Sequence, residues 1–337
     1  MKTPSPVEPV ANTARHSEAL SELAPPLVGL VGPTAVGKTA MAVRLASAVG
    51  GEIVSADSRQ VYRGMDIGTA KATAEEQAQA RHHLIDVLDP HQTMGLAEFQ
   101  ESAYAAIAAI TARRRVPLLV GGTGQYIMAV VEGWQVPRVP PDRALRQDLY
   151  RQAEEQGAAV LHARLRELDP AAAGRIDPRN IRRVVRALEV CLLTGQPISE
   201  QQGKSPPPYR ILLIGLSLPR KQLYQRIDER VARMMQAGLE QEVRDLVAAG
   251  YGFELPAMSG VGYGQFAPYL AGEATLEETI AEIQRSTRRF VRHQANWFRQ
   301  EDARIHWFDV RTDPYNKVLD LVQRFLALSA PEDSVVQ

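Results

Sequence analysis

Gly32-Pro33-Thr34-Ala35-Val36-Gly37-Lys38-Thr39 fits G-x-x-x-x-G-K-[ST], a phosphate-binding loop (P-loop) set between a strand and a helix. Its flanks fit as well. Leu27-Val28-Gly29-Leu30-Val31 is a short apolar run that reads as a buried strand. Ala40 to Val49 reads as a helix with Met41, Leu45, Ala48 and Val49 inward. Glycines let the backbone curl tightly, so that its N–H groups face one cavity. The helix N-terminus adds partial positive charge there. Lys38 supplies a full charge, and Thr39 a hydroxyl for a magnesium ion. A glycine-rich turn with no ligand is the plain alternative, and a full match in the right context weighs against it. The chain is therefore expected to bind a di- or triphosphate.

The 337 residues suffice for one large domain or two smaller ones. Hydrophobic residues make up 45% and charged residues 23%, as in soluble globular proteins. Lys+Arg and Asp+Glu both number 39, so any nucleic-acid contact must come from local basic clusters. The single cysteine, Cys191, forms no internal disulfide, which agrees with a cytoplasmic location. No apolar run approaches a membrane span. A monomer with no membrane contact is the expectation.

Residues 1–26, rich in Pro, Ala, Ser and Glu, read as a disordered tail. In Glu52 to Tyr62, Ile53 and Val54 predict a second strand, with Asp57 and Ser58 just past its carboxyl end. Ligands of open parallel sheets bind at that edge. An Asx-turn or helix cap is the structural reading of Asp57, and the two roles are compatible. Gly64 to Lys71 has too many glycines for a regular element and reads as a loop, with Lys71 either charging the site or solvated. His82 to Pro90 reads as a third strand. Its two histidines lack a nearby third ligand, so they read as structural or surface groups.

Ala97 to Arg115 is a helix by the spacing of Phe99, Ala103, Ile107 and Ile110. Val116 to Val120 is a fourth strand, running into Gly121-Gly122-Thr123-Gly124. Glycines there predict close backbone approach to a ligand, although Gly-Gly also marks ordinary turns. From Pro137 the texture becomes helical: Asp142 to Gln156, Ala158 to Leu168 and Ile181 to Leu193. Residues 131–201 read as an all-helical insertion. Arg179, Arg182, Arg183 and Arg186 share one side of it, as a solvated face or a surface for a phosphate backbone. Arg210 to Leu216 is a fifth strand. A long helix starts near Arg220, with Gly238 as a break point and Arg226, Arg230 and Arg233 off its apolar stripe. Met258 to Gln265 is another glycine-rich turn. A helix from Leu276 ends in a second basic cluster, Ile305 to Asp309 forms a last strand, and Ser329 to Gln337 a loose tail. The fold class is α/β: a P-loop-type parallel sheet flanked by helices, discontinuous over 27–130 and 202–325, around the helical insertion.

With these segments laid out, the chain resembles the tRNA dimethylallyltransferases, also called tRNA isopentenyltransferases. The resemblance rests on Gly32 to Thr39, Ser55-Ala56-Asp57-Ser58 with Tyr62, Gly64 to Lys71, Gly121 to Gly124 with Tyr126, Arg186 to Val190, Val261-Gly262-Tyr263, and Gln294 to Arg299. It implies transfer of a dimethylallyl group from its diphosphate to N6 of the adenine 3′ of a tRNA anticodon, with Mg²⁺ as cofactor. The P-loop would then hold dimethylallyl diphosphate. The same resemblance implies that Asp57 is the base, that Thr123 lies at the reaction centre, and that Arg230 steadies the diphosphate. It also implies that Asp57, Ser58, Arg59, Gln60, Thr123, Arg146, Arg182, Arg183, Val184, Val185, Arg186, and Ser259, Gly260, Val261, Gly262, Tyr263 and Gly264 meet the tRNA anticodon stem-loop. Ser259 and Gly264 stand where basic residues are usual in the family. Two rival activities fit the P-loop alone: a small-molecule kinase using ATP, and a non-catalytic RNA-binding protein with a structural nucleotide.

Overall fold

The computed structural model describes residues 24–328. The readings for most of the N-terminal tail and for Ser329 to Gln337 lie outside the described residues. The chain divides into two compact units. One runs through Ile127 and resumes at Pro208, and the other is Met128–Pro207.

The first unit is built on a six-stranded sheet. Its strands are β1 Pro26–Val31, β2 Gly51–Ala56, β3 His82–His83, β4 Val116–Gly121, β7 Arg210–Ser217 and β8 Ile305–Asp309. Their order is β3-β2-β4-β1-β7-β8, and every neighbouring pair is parallel. The apolar runs explain this. Parallel strands carry helices on their faces and so are apolar nearly throughout, rather than alternating. Val28, Leu30, Ile53, Leu118, Val120, Ile214 and Leu216 form one core with Leu45 of helix Lys38–Val49 and Ile227 of helix Arg220–Gln236. Val291 of helix Leu276–Ala295 and Val318 of helix Tyr315–Ala327 join it. Each such side chain, fully buried, contributes about 1.5–3 kcal/mol.

Two local readings change, and the break expected at Gly238 is present. β3 is only two residues long, because the chain turns immediately afterwards: Leu84 and Asp86 adopt φ of 61° and 54°, outside any strand. The helix from Arg220 stops at Gln236, and a second one, Leu239–Ala248, begins after Gly238 at φ 97°. Lys71 is neither solvated nor in the phosphate site. It is buried, with its ammonium on Asp66, Asp86 and the Tyr62 carbonyl.

In the second unit, helices Arg143–Gln156, Ala158–Leu168, Pro170–Arg175 and Ile181–Thr194 pack around Leu149, Leu161, Leu165, Val184, Val185 and Leu188. Two short antiparallel strands, β5 Trp134–Gln135 and β6 Gly203–Lys204, close its base.

Candidate functional site

The register of the sheet puts three loops in one row. Val31 pairs with Gly121, and Gly121 with Ala56. The segments leaving β1, β4 and β2 therefore start side by side at the carboxyl edge. They are the P-loop, Gly122-Thr123-Gly124, and Asp57-Ser58. β7, on the other side of β1, feeds helix Arg220–Gln236, which brings Arg226 and Arg230 to the same edge.

Gly32 has φ 147°, and a Cβ there would sit 2.6 Å from the Leu216 carbonyl oxygen, so no other residue fits without displacing backbone. Lys38 donates to the carbonyls of Gly32 (3.0 Å) and Pro33 (2.8 Å). Arg226 donates to the Val36 carbonyl at 3.3 Å and Arg230 to Thr34 Oγ1 at 3.2 Å. Three cations thus converge on one eight-residue loop. Burial pushes the Lys38 ammonium down to about 8. Asp57 nearby opposes the shift and Arg230 reinforces it.

Asp57 accepts the Arg59 N–H at 2.9 Å, the Asx-turn expected of it. Thr123 is fixed from both ends. Its N–H donates to the Ala56 carbonyl at 3.3 Å, and its Oγ1 accepts the Ser58 N–H at 3.2 Å. Thr123 is therefore tied to the residues on either side of Asp57. Both side chains stay partly exposed.

A residue with no assigned role in the sequence reading completes this edge. Gln294, on the last turn of helix Leu276–Ala295, is 4% exposed. Its Oε1 accepts the Thr34 N–H at 2.9 Å, and its Nε2 donates to the Gly122 carbonyl at 3.0 Å. The glycines after β4 make room for this helix. A Cβ on Gly122 would lie 2.3 Å from Gln294 Nε2, and one on Gly124 would lie 2.1 Å from the Trp297 ring. The Gly-Gly-Thr-Gly spacing thus serves packing as well as ligand approach. Only that spacing hinted at the contact.

The neighbouring loops are braced from within. Gln60 accepts from Ser55 and donates to the Thr69 and Ala70 carbonyls. Glu242 accepts the N–H groups of Asp66, Ile67 and Gly68 and the Tyr263 hydroxyl. Arg59 donates to the carbonyls of Pro256 and Ala257 and to Ser259 Oγ. Tyr263 and Gly262 are buried, so of the Ser259–Gly264 turn it is Ser259 that is exposed. The side chain of Tyr263 is a core group. Among the described residues no cluster of three or more His, Cys, Asp or Glu is arranged to hold a metal.

Comparison with known proteins decides the family. A family model described as IPP transferase matches residues 60–301. The chain is 58% identical over 275 residues to the tRNA dimethylallyltransferase of Roseiflexus sp. strain RS-1, covering 82% of this chain and 90% of that one. It is 48% identical to the tRNA dimethylallyltransferase of Thermomicrobium roseum over 92% of this chain and 94% of the relative. This chain belongs to the tRNA dimethylallyltransferase family. A crystal structure of the tRNA isopentenylpyrophosphate transferase of Bacillus halodurans superposes with a TM-score of 0.67 at 40% identity, covering 90% of this chain and 97% of that one.

In this dimethylallyltransferase family member, the helical unit sorts the arginines singled out from sequence. Glu189, with no exposed surface, accepts from Arg146 (2.8 Å from each of Nε and Nη2), from Arg186 (2.6 Å) and from the Asp142 N–H. Burial alone would raise its carboxyl, but the two guanidinium bonds and the backbone donor hold it below the usual range. Arg186 also donates to the carbonyls of Pro137 and Val139. Arg146 and Arg186 are therefore balanced by a buried charge. Arg182 and Arg183 are exposed. Val184 and Val185 are each 1% exposed and belong to the core, because one side of an amphipathic helix must face inward.

Proposed function

We propose that this chain transfers the dimethylallyl group of dimethylallyl diphosphate to N6 of the adenosine 3′-adjacent to a tRNA anticodon, releasing diphosphate. The observation that carries the reading is the row Ala56–Gly121–Val31. It sets a carboxylate, a hydroxyl and a three-cation phosphate loop along one sheet edge.

In this reading the diphosphate sits in the P-loop. The N6 lone pair attacks the allylic carbon as its C–O bond breaks, and the bonding electrons leave on the diphosphate. Negative charge grows on that leaving group, and Lys38, Arg230, Arg226 and the loop N–H groups are held ready to stabilise it. Asp57 takes the N6 proton as the new bond forms, since an adenine amine is a poor nucleophile until deprotonation accompanies attack. Thr123, tied to both sides of Asp57, fixes the separation between acceptor and donor. Thr39 suits Mg²⁺ as a single hydroxyl ligand, because Mg²⁺ in phosphate sites takes most of its ligands from substrate and water. Bound there, the ion would neutralise diphosphate charge. The target base must be unstacked, at a cost of about a few kcal/mol, which a single-stranded anticodon loop keeps low. Arg182, Arg183 and Ser259, which are exposed, and half-buried Ser58 are the groups proposed to meet the tRNA. We place the activity in the cytoplasm, in a monomer.

Family membership favours this chemistry over an ATP-dependent kinase on the same loop. Protein, Mg²⁺, dimethylallyl diphosphate and undermodified tRNA are incubated and the tRNA digested to nucleosides. Prenylated adenosine is the expected product, and its absence from folded protein would remove the proposal.

A further inference from the structure

We infer that Gln294 is a positioning residue that sets the distance between the leaving-group loop and the acceptor-activating pair. The inference rests on the reaction proposed above. Gln294 joins two segments that do different chemical jobs. Its Oε1 takes the Thr34 N–H in the middle of the P-loop. Its Nε2 holds the Gly122 carbonyl, next to Thr123, whose own bonds go to Ala56 and Ser58 on either side of Asp57. One planar amide therefore ties the diphosphate cradle to the segment that carries Thr123.

The chemistry of the contact dictates the residue. One side offers a donor and the other an acceptor, both in a site only 4% exposed. A glutamine amide supplies an acceptor and a donor together at that reach without a change of protonation. Glutamate answers the Thr34 N–H but sets a negative oxygen against the Gly122 carbonyl. Methionine matches the length and answers neither. Thr34 reinforces the arrangement, since its hydroxyl accepts from Arg230 while its N–H is held by Gln294. Thr34 is thereby a mounting point of the loop as well as part of its wall. The surroundings have been cleared for this helix, because Gly122 and Gly124 leave no space for a Cβ beneath Gln294 and Trp297.

A reaction between two bound partners is sensitive to a misplacement of about 1 Å, which costs about 100-fold in rate. If the amide sets the spacing, its loss slows transfer without weakening either substrate's hold. It also leaves the activated allylic carbon open to water. Water then attacks that carbon, dimethylallyl alcohol and diphosphate form, and diphosphate release exceeds prenylation.

The test compares wild type, Gln294→Glu and Gln294→Met with Mg²⁺, dimethylallyl diphosphate and undermodified tRNA. Prenylation by the wild type is the control for the reaction itself. We expect both variants to lose about tenfold or more in kcat, with KM for both substrates within about threefold, the signature of an interaction used in the transition state. Diphosphate released per prenylated adenosine should rise above the wild-type ratio. Melting temperature is measured alongside, and if methionine unfolds the protein, the near-isosteric glutamate variant decides. Wild-type kcat in the variants would overturn the inference. So would a loss that follows the folded fraction with the wild-type product ratio.

Discussion

Arg230 donates to Thr34 Oγ1 across 3.2 Å, tying the helix after β7 to the loop after β1. Burial lowers its guanidinium and Asp57 opposes that shift, so the cation is held close to the carboxylate that it must not neutralise. Arg230→Ala should lower kcat/KM for dimethylallyl diphosphate by about 100-fold, the usual cost of losing one preorganised donor to a developing anion. Arg230→Lys should recover only part, because a point charge lacks the planar fork. Steady-state kinetics at saturating tRNA measure both. Unchanged kcat/KM would place Arg230 outside the reaction.

Lys38 titrates at about 8, lowered by burial, raised by Asp57 and lowered again by Arg230. It must be protonated to attract a diphosphate. kcat/KM for the donor, which reports the free enzyme, should therefore fall as pH rises through about 8. Bound diphosphate favours the charged form, so donor binding should take up a proton above that pH. Arg230→Ala removes a repelling cation and should move the limb to higher pH. Asp57→Asn removes an attracting anion and should move it lower. A pH–rate profile flat from 7 to 10 would contradict this.

Asp57 itself gives a third expectation. Its carboxylate is bound to one backbone N–H, from Arg59, and its side chain is partly exposed. Asp57→Ala should lower turnover by about 100- to 10,000-fold, the range of a general base, while tRNA affinity changes by less than about threefold. Filter binding beside single-turnover rates separates the two. Equal losses would remove its role as base.

Arg182 and Arg183 differ from Arg146 and Arg186 in their electrostatic standing. The first two are exposed, whereas the second two share buried Glu189. Replacing Arg182 and Arg183 with alanine should weaken tRNA binding. Each lost phosphate contact should flatten the salt dependence by about 0.7–0.9 in log–log slope. KM for dimethylallyl diphosphate should hold. An unaltered slope would show that this face does not meet the backbone.

Glu52, at the start of β2, accepts two bonds from Arg113 and one from His83. Arg113 is the largest influence in lowering its carboxyl from 4.5 to about 2, against burial. A carboxyl depressed in the folded state stabilises the fold fully above its unfolded value, and that contribution is lost as pH falls toward the folded one. Stability should therefore decline between about pH 4.5 and 2, and Arg113→Ala should lower it at neutral pH. Urea titrations across that range measure it. No difference between wild type and Arg113→Ala at pH 7 would refute the assignment.

The sheet was readable because parallel strands are apolar runs and the P-loop has a fixed spacing. Strand β1, its loop and helix Lys38–Val49 follow directly from residues 27–49. Asp57 was readable from its place after a strand. Other features depend on partners distant in sequence, which no local pattern encodes. Gln294 reaches Thr34 across 260 residues. Lys71 looks like a surface cation in sequence, yet Asp66 and Asp86 satisfy it inside. Val184 and Val185 share a motif with exposed arginines, and helical geometry sends them to opposite sides. The two-residue strand β6 has no signal at all, since two residues cannot show a period.

The central claim is that this phosphate loop activates carbon rather than phosphorus. Its most direct test counts the anion released from purified protein with Mg²⁺ and undermodified tRNA, supplied with dimethylallyl diphosphate or with ATP. The account predicts one inorganic pyrophosphate for each prenylated adenosine formed from dimethylallyl diphosphate, and no tRNA-dependent phosphate from ATP. Orthophosphate released from ATP, with adenosine left unprenylated, would contradict it.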